Sequence, residues 1–178
     1  MKRQVLTFSA ALALTLFGGS SLYAQDNDGC SDSTLKGDYA FTIAGQVLNK
    51  DGTITNRNGV AMTHFDGAGK LTQVDYVITL TPGQVPPGGI DRDPVFRAGE
   101  TGTYDVNSDC TGTAEIDFPP PPGVTSGAMI KLIFVLSNHG GTIHTVVTSL
   151  TPPGAPSPVP AVIHSDGWKL GSVPEESD

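Results

Sequence analysis

The residues through which this 178-residue chain could do chemistry are few: four histidines, two cysteines and some short charged clusters. Histidine is the commonest metal ligand and acid–base group, so its placement comes first. His64 shares alternation parity with Val60 and Met62, His144 with Val146 and Leu150, and His164 with Val162, Trp168 and Leu170. No HxH or HxxxH pair supports them, so the expectation is isolated barrel-lining or surface histidines and no metal site. GAGK at 67–70 resembles part of a phosphate loop. The full pattern needs a glycine where His64 stands and a hydroxyl residue where Leu71 stands, so it reads as a hairpin turn. The acidic run holding Asp26, Asp28 and Asp32 lacks the spacing and closing glutamate of a calcium loop. Asp91, Arg92, Asp93 and Arg97 form a charged cluster among prolines that would suit the mouth of a cavity, though charges are also ordinary in a long surface loop. There is no G-x-S-x-G elbow and no Ser, His and Asp set singled out by spacing. No catalytic residue and no cofactor is expected, and an enzyme is the least favoured class.

The cysteines depend on compartment. Lys2 and Arg3 precede an apolar run from Val5 to Phe17, and small and polar residues follow to Ala24. This is the layout of a signal peptide, with Leu22 and Ala24 before the cut. The run is too short for the roughly 20 residues of a membrane-spanning helix. The expected product is residues 25–178, secreted or periplasmic, with no membrane insertion after cleavage. Export makes pairing of Cys30 with Cys110 the expectation. The bond would close a loop of roughly 80 residues, worth roughly 4 kcal/mol in loop-closure entropy. Neither cysteine has a basic neighbour to make it reactive; Asp109 adjoins Cys110. The net charge of −8 becomes more negative once Lys2 and Arg3 are gone. Such a chain is repelled by nucleic acid and by anionic lipid, so neither is an expected partner.

The elements that would position these residues are strands. YAFTIAGQVL, GVAMTHF, LTQVDYVITL, TGTYDV, TAEIDF, AMIKLIFVLS, TIHTVVTSL and AVIHSDGWKL alternate or run apolar at strand length, and no stretch makes a convincing helix. Tyr39, Phe41 and Ile43 share one face; so do Val74, Tyr76, Ile78 and Leu80, and Ala114, Ile116 and Phe118. AMIKLIFVLS, apolar on both faces apart from Lys131, is expected to be the most buried strand. Tight turns at 67–69, 107–112 and 138–141 alternate with longer Gly/Pro-rich connections, which puts all tight turns at one rim and all long loops at the other. Eight short antiparallel strands in a meander favour an all-β, up-and-down, calycin-like barrel, since closure removes sticky edges. A two-sheet β-sandwich is the alternative. The expected division is a signal peptide at 1–24, an N-terminal segment carrying Cys30 at 25–36, a single barrel domain at 37–171 and an acidic tail at 172–178. Cys110 is expected at the rim opposite the start of the first strand, so that residues 31–37, extending roughly 23 Å, must run along the barrel to reach it.

LKGDYAFTIAG, FDGAGKL and GTYDVNSDCTGT together resemble a family of small exported bacterial proteins with the pattern L-x-G-x-Y-x-F, F-D-G-x-G and G-x-Y-x-V-x-x-D-C-x-G. The resemblance spans about residues 30 to 118 and implies a fold similar to allene oxide cyclase-like or lipocalin-like barrels. It carries over turn glycines, core aromatics and a cysteine, and no functional residue. An eight-stranded barrel is either filled by side chains or holds one small ligand. The first expectation is a binding module for a small, mostly apolar ligand lined by Tyr39, Phe41, Met62, Tyr76, Phe134 and Trp168. The alternative is a structural or interaction protein of the envelope or extracellular space with a filled barrel. Third comes an isomerase- or cyclase-like enzyme. Oligomeric state is open.

Overall fold

A computed structural model describes residues 29–49, 51–81, 83 and 95–171. The signal-peptide stretch, Asp26, Asp28, Asp91, Arg92, Asp93 and the tail at 172–178 lie outside the described residues. Eight strands follow in order: β1 (Lys36–Leu48), β2 (Ile54–Asp66), β3 (Lys70–Leu80), β4 (Arg97–Val106), β5 (Thr111–Asp117), β6 (Met129–Ser137), β7 (Thr142–Thr151) and β8 (Ala161–Lys169). Each pairs antiparallel with the next, and β8 closes on β1, giving a closed up-and-down barrel and not a sandwich. The first connection is shorter than its sequence suggests. Polar residues continue the ladder, with Gln46 opposite Asn56 and Leu48 opposite Ile54, leaving only 49–53 as the turn.

The tight turns follow the chemistry of their residues. In the β2–β3 turn, the Asp66 carboxylate accepts from the backbone N–H groups of Ala68 and Lys70, at 2.7 and 3.0 Å. The Asp109 carboxylate accepts in the same way from Thr111 in the β4–β5 turn. Both carboxyls are held below their usual range, Asp109 chiefly by the Thr111 hydroxyl and Asp66 chiefly by the Lys70 N–H.

Period-two alternation defines two faces of a strand but does not say which one faces the lumen. β1 and β5 point as expected, with Tyr39, Phe41, Ala114 and Ile116 buried. On β2, β3 and β8 the expected assignment is inverted. Ala61, Thr63 and Phe65, then Leu71, Gln73 and Asp75, then Ile163 and Gly167 face inward. Val60, Met62 and Trp168 stand outside, each about half exposed. β6 is not buried on both faces either, because Ile133 and Val135 are exposed. The reason is geometric. A narrow lumen takes small and polar side chains beside a few rings, and β-branched and long apolar residues suit the outer pleated surface.

Two rings are accommodated by glycine. Phe41 faces Gly167 across β1–β8, and Phe134 faces Gly112 across β5–β6. A Cβ on either glycine would overlap the facing ring. The rings therefore lie against the barrel wall rather than across its axis. Gly167→Ala is expected to force Phe41 inward and to lower stability by about 1–3 kcal/mol, read as a lower denaturant midpoint at unchanged slope.

The tight-turn rim is closed by the N-terminal segment. A 3-10 turn at Asp32–Thr34 lies over it, and Leu35 behind the turn is completely buried. Tyr39, Phe65 and Tyr104 stack edge to face beneath, at 5.3 and 5.1 Å between ring centres. The Tyr104 hydroxyl accepts from Gly67 N–H and donates toward the Leu35 and Asp32 carbonyls, while the Asp32 carboxylate accepts from Val106 N–H at 2.8 Å. Cys30 and Cys110 are disulfide-bonded with their Cα atoms 4.9 Å apart. The expected run along the barrel does not occur. In an up-and-down order every connection after an even strand returns to the rim where β1 begins, and the β4–β5 turn bearing Cys110 is one of these.

Candidate functional site

Above this plug the barrel encloses a cavity of about 80 Å³. One water needs roughly 10–15 Å³ measured in this way, so the space exceeds a water or two. Leu35 and Phe65 form its floor, and Phe41, Ile43, Ile116, Leu132, Phe134 and Ile143 contribute apolar wall. Thr63, Gln73, Thr145 and Ser165 add polar atoms that are already paired. Thr63 Oγ1 donates to Gln73 Oε1 at 2.8 Å, and the Thr145 and Ser165 hydroxyls bond to each other at 2.7 Å. A buried hydroxyl costs free energy unless it is bonded, so these pairs let polar groups line an apolar space.

Toward the long-loop rim, the β2–β3–β4 side of the lumen becomes charged. The device that assembles it is a β-bulge. Gln73 opposes Glu100 and Asp75 opposes Arg97, so three steps on β4 match two on β3. Gly99 absorbs the extra residue at φ 84°, a left-handed conformation that glycine adopts without strain. The bulge brings Arg97 and Glu100, three apart in sequence, to one cluster. The Arg97 guanidinium grips Asp75 with both prongs, Nε to Oδ1 at 2.7 Å and a terminal nitrogen to Oδ2 at 2.6 Å. It also lies over the Phe118 ring at 5.2 Å. Gln73 connects the cavity to the cluster by donating Nε2–H to Glu100 Oε2 at 2.8 Å.

Glu100 is 1% exposed and its Oε1 has no hydrogen-bond partner among the described residues. Burial, and then the neighbouring Asp75 carboxylate, push its pKa up to about 8 against the pull of the Gln73 amide. At neutral pH the group is therefore a carboxylic acid carrying a proton. The opposing partner, Asp75, is 2% exposed and held by Arg97. Asp75→Asn is expected to cost about 2 kcal/mol, read by chemical denaturation, because it leaves the half-exposed guanidinium without its carboxylate.

Arg57 occupies an inward register position on β2, opposite Thr79. Its Nε is buried and has no hydrogen-bond partner among the described residues. Desolvation, and then the nearby Arg97 charge, depress its pKa, with Asp75 acting in the opposite sense. It is a cation whose surroundings disfavour its charge.

The six side chains expected to line a ligand space separate into groups. Phe41 and Phe134 line the cavity. Tyr39 is buried in the plug, with its hydroxyl donating to the Gly140 carbonyl. Met62 and Trp168 stand on the outer face, as does Tyr76, which packs there against Phe96 at 6.2 Å. The histidines do not converge. His64 and His144 lie outside and pair with Asp38 and Asp166, each 2.7 Å from Nδ1 to Oδ1, and His164 is also exposed. Among the described residues no group of three His, Cys, Asp or Glu is placed to hold a metal ion. Of the charged cluster expected at 91–97, Arg97 does reach the lumen. Arg57, Gln73, Asp75 and Glu100 were not expected inside. The one sequence cue was RAGE, a glycine within a strand pattern between two charges.

Among protein-family models, curated proteins and solved structures, no match to this chain is found. No helix among the described residues is long and apolar enough to cross a membrane.

Proposed function

We propose that this is an exported binding protein, secreted or periplasmic, whose barrel holds a small and mostly apolar ligand. The observation that carries this reading is the cavity of about 80 Å³ inside the barrel, apolar on most of its wall and bordered by a charged cluster with unsatisfied atoms. Well-formed apolar pockets with a few convergent polar groups are the usual form of small-molecule sites. Export is supported by the signal-peptide layout of residues 1–24 and by the Cys30–Cys110 disulfide. The protein purified from its own host should show an added small-molecule mass in native mass spectrometry. A clean apo mass under gentle conditions would overturn the reading.

A second reading, an interaction protein of the envelope, rests on the outer face. Trp168, Ala40, Met62 and Val74 follow one another across β8, β1, β2 and β3. Scattered surface apolar residues are ordinary, but this row is continuous. Met62→Lys should leave ligand mass unchanged and abolish any self-association seen by light scattering; unchanged association would remove the row from consideration.

A further inference from the structure

The outer face of β1 and β2 is stepped. At successive outward positions β1 presents Asp38, Ala40, Thr42 and Ala44, and β2 sets His64, Met62, Val60 and Asn58 opposite them. Met62 and Asn58 stand above the alanines they face, while Thr42 and Val60 match in size. Trp168 on β8 rises on the other side of Ala40. The outer face of β1 is therefore the floor of a trough between Trp168 and Met62, each about half exposed. The rungs through Ala40 and Thr42, from β8 to β3, carry one charged side chain, Asp166, which His144 holds at 2.7 Å. Depletion of charge around exposed apolar and aromatic residues marks the centre of a protein interface. These rungs lie toward the tight-turn rim, away from the end of β3 where the connection to β4 begins.

The relief decides the partner. Turned over about a two-fold axis that runs between β1 and β2, parallel to both, a second copy sets its β2 against β1 and its β1 against β2. Each Met62 then enters the trough of the other copy at Ala40, beside Trp168, where a sulfur–ring contact is available. Asp38 of each copy faces His64 of the other. The Asp38–His64 pair, 2.7 Å apart within one chain, becomes an alternating cluster of four groups. Shape and charge thus find their complements in the same patch, as an isologous contact requires. Four strands spaced about 4.8 Å, followed from Asp38 to Gln46, make a face of roughly 500 Å² in projection. A specific pair buries roughly 600–1,000 Å² of accessible surface per partner, so the face suits a modest, micromolar dimer. Resting on the interaction reading above, we infer that this face joins two copies of the chain, with Met62 of each seated on Ala40 of the other.

Trp168 is the chain's only tryptophan, so its emission reports this face. On dilution from high micromolar to nanomolar concentration, the oxidised protein purified from its host should fall from twice the monomer mass to the monomer in sedimentation. Trp168 emission should move to longer wavelength over the same range. Ala40→Met, which fills the trough, and Met62→Ala, which removes what enters it, should each weaken pairing at least tenfold. Mixed in equal amounts, the two variants should pair with each other more tightly than either does alone, because their substitutions are complementary across the axis. Thr103→Met, exposed on β4 across the barrel, should change nothing. A mixture no better than its components, or pairing untouched by both variants, would overturn the inference. So would a chain that stays monomeric at every concentration, and a photo-crosslinker in place of Trp168 in the host then separates the two failures. An adduct with a protein other than this chain leaves the interaction reading standing, and no adduct removes that reading as well.

Discussion

Cys110→Ser is expected to lower stability by about 4 kcal/mol, the loop-closure entropy of a crosslink spanning 80 residues. In a domain of this size that corresponds to a fall of roughly 10–15 °C in Tm. The loss extends past the unfolded chain. Without the bond, the segment from Cys30 to Leu35 is held over the rim by the burial of Leu35, the Cys30–Ser108 backbone bond, the Asp32 carboxylate on Val106 and the Tyr104 hydroxyl. Leu35 forms the cavity floor, so fraying of the segment should admit solvent to the lumen. Reduction of the native protein should reproduce the serine variant in thermal melts. Equal Tm values for oxidised and reduced protein would show that the noncovalent plug alone is sufficient.

Glu100→Gln should stabilise the protein above pH 8 by about 5 kcal/mol and have little effect near pH 4. The folded-state pKa of about 8 lies above the ordinary value of 4.5. Below pH 4.5 Glu100 is protonated in both folded and unfolded chains, and its ionisation costs folding nothing. Between 4.5 and 8 the unfolded chain releases the proton while the folded chain retains it, so stability declines as pH rises, by up to about 1.4 kcal/mol per pH unit. Above 8 the penalty is complete. The glutamine amide imitates the protonated acid, since its oxygen can accept from Gln73 and its N–H₂ can donate toward Asp75. The difference between variant and native protein, measured by urea unfolding from pH 4 to 9, isolates this group from every other titration. A difference independent of pH would show that Glu100 ionises normally.

The barrel, its strand order and its disulfide were legible in the sequence because they rest on local signals: turn residues at 67–69, 107–112 and 138–141, alternation between them, and a single pair of cysteines behind a signal-peptide layout. The interior was not. Val74 and Tyr76 look like core and Gln73 and Asp75 like surface, yet the barrel inverts them. Alternation is symmetric under exchange of faces, and only the closed lumen breaks that symmetry by limiting side-chain volume. The charged cluster was hidden for a second reason. It depends on the bulge at Gly99, which shifts parity within one strand, so that Arg97 could not be placed by counting from Tyr104, whereas Glu100 shares the parity of Tyr104 and was hidden only by its charge. The position of Cys110 was open to topology alone, because even-numbered strands in a meander always return to the first rim.

The ladder between the first and last strands has a consequence for the order of events in the life of the chain. β1 pairs with β8 from Tyr39 opposite Lys169 to Val47 opposite Ala161. Until residue 169 has left the ribosome, the barrel has an open seam, and β1 and β7 present unpaired edges to anything nearby. Contacts this distant in sequence form slowly, because the intervening chain must be closed first. The barrel therefore cannot close before its last strand, Ala161–Lys169, is available to pair with β1. On the proposed exported reading, a translocation channel that accepts only extended chains requires that delay, and the topology provides it.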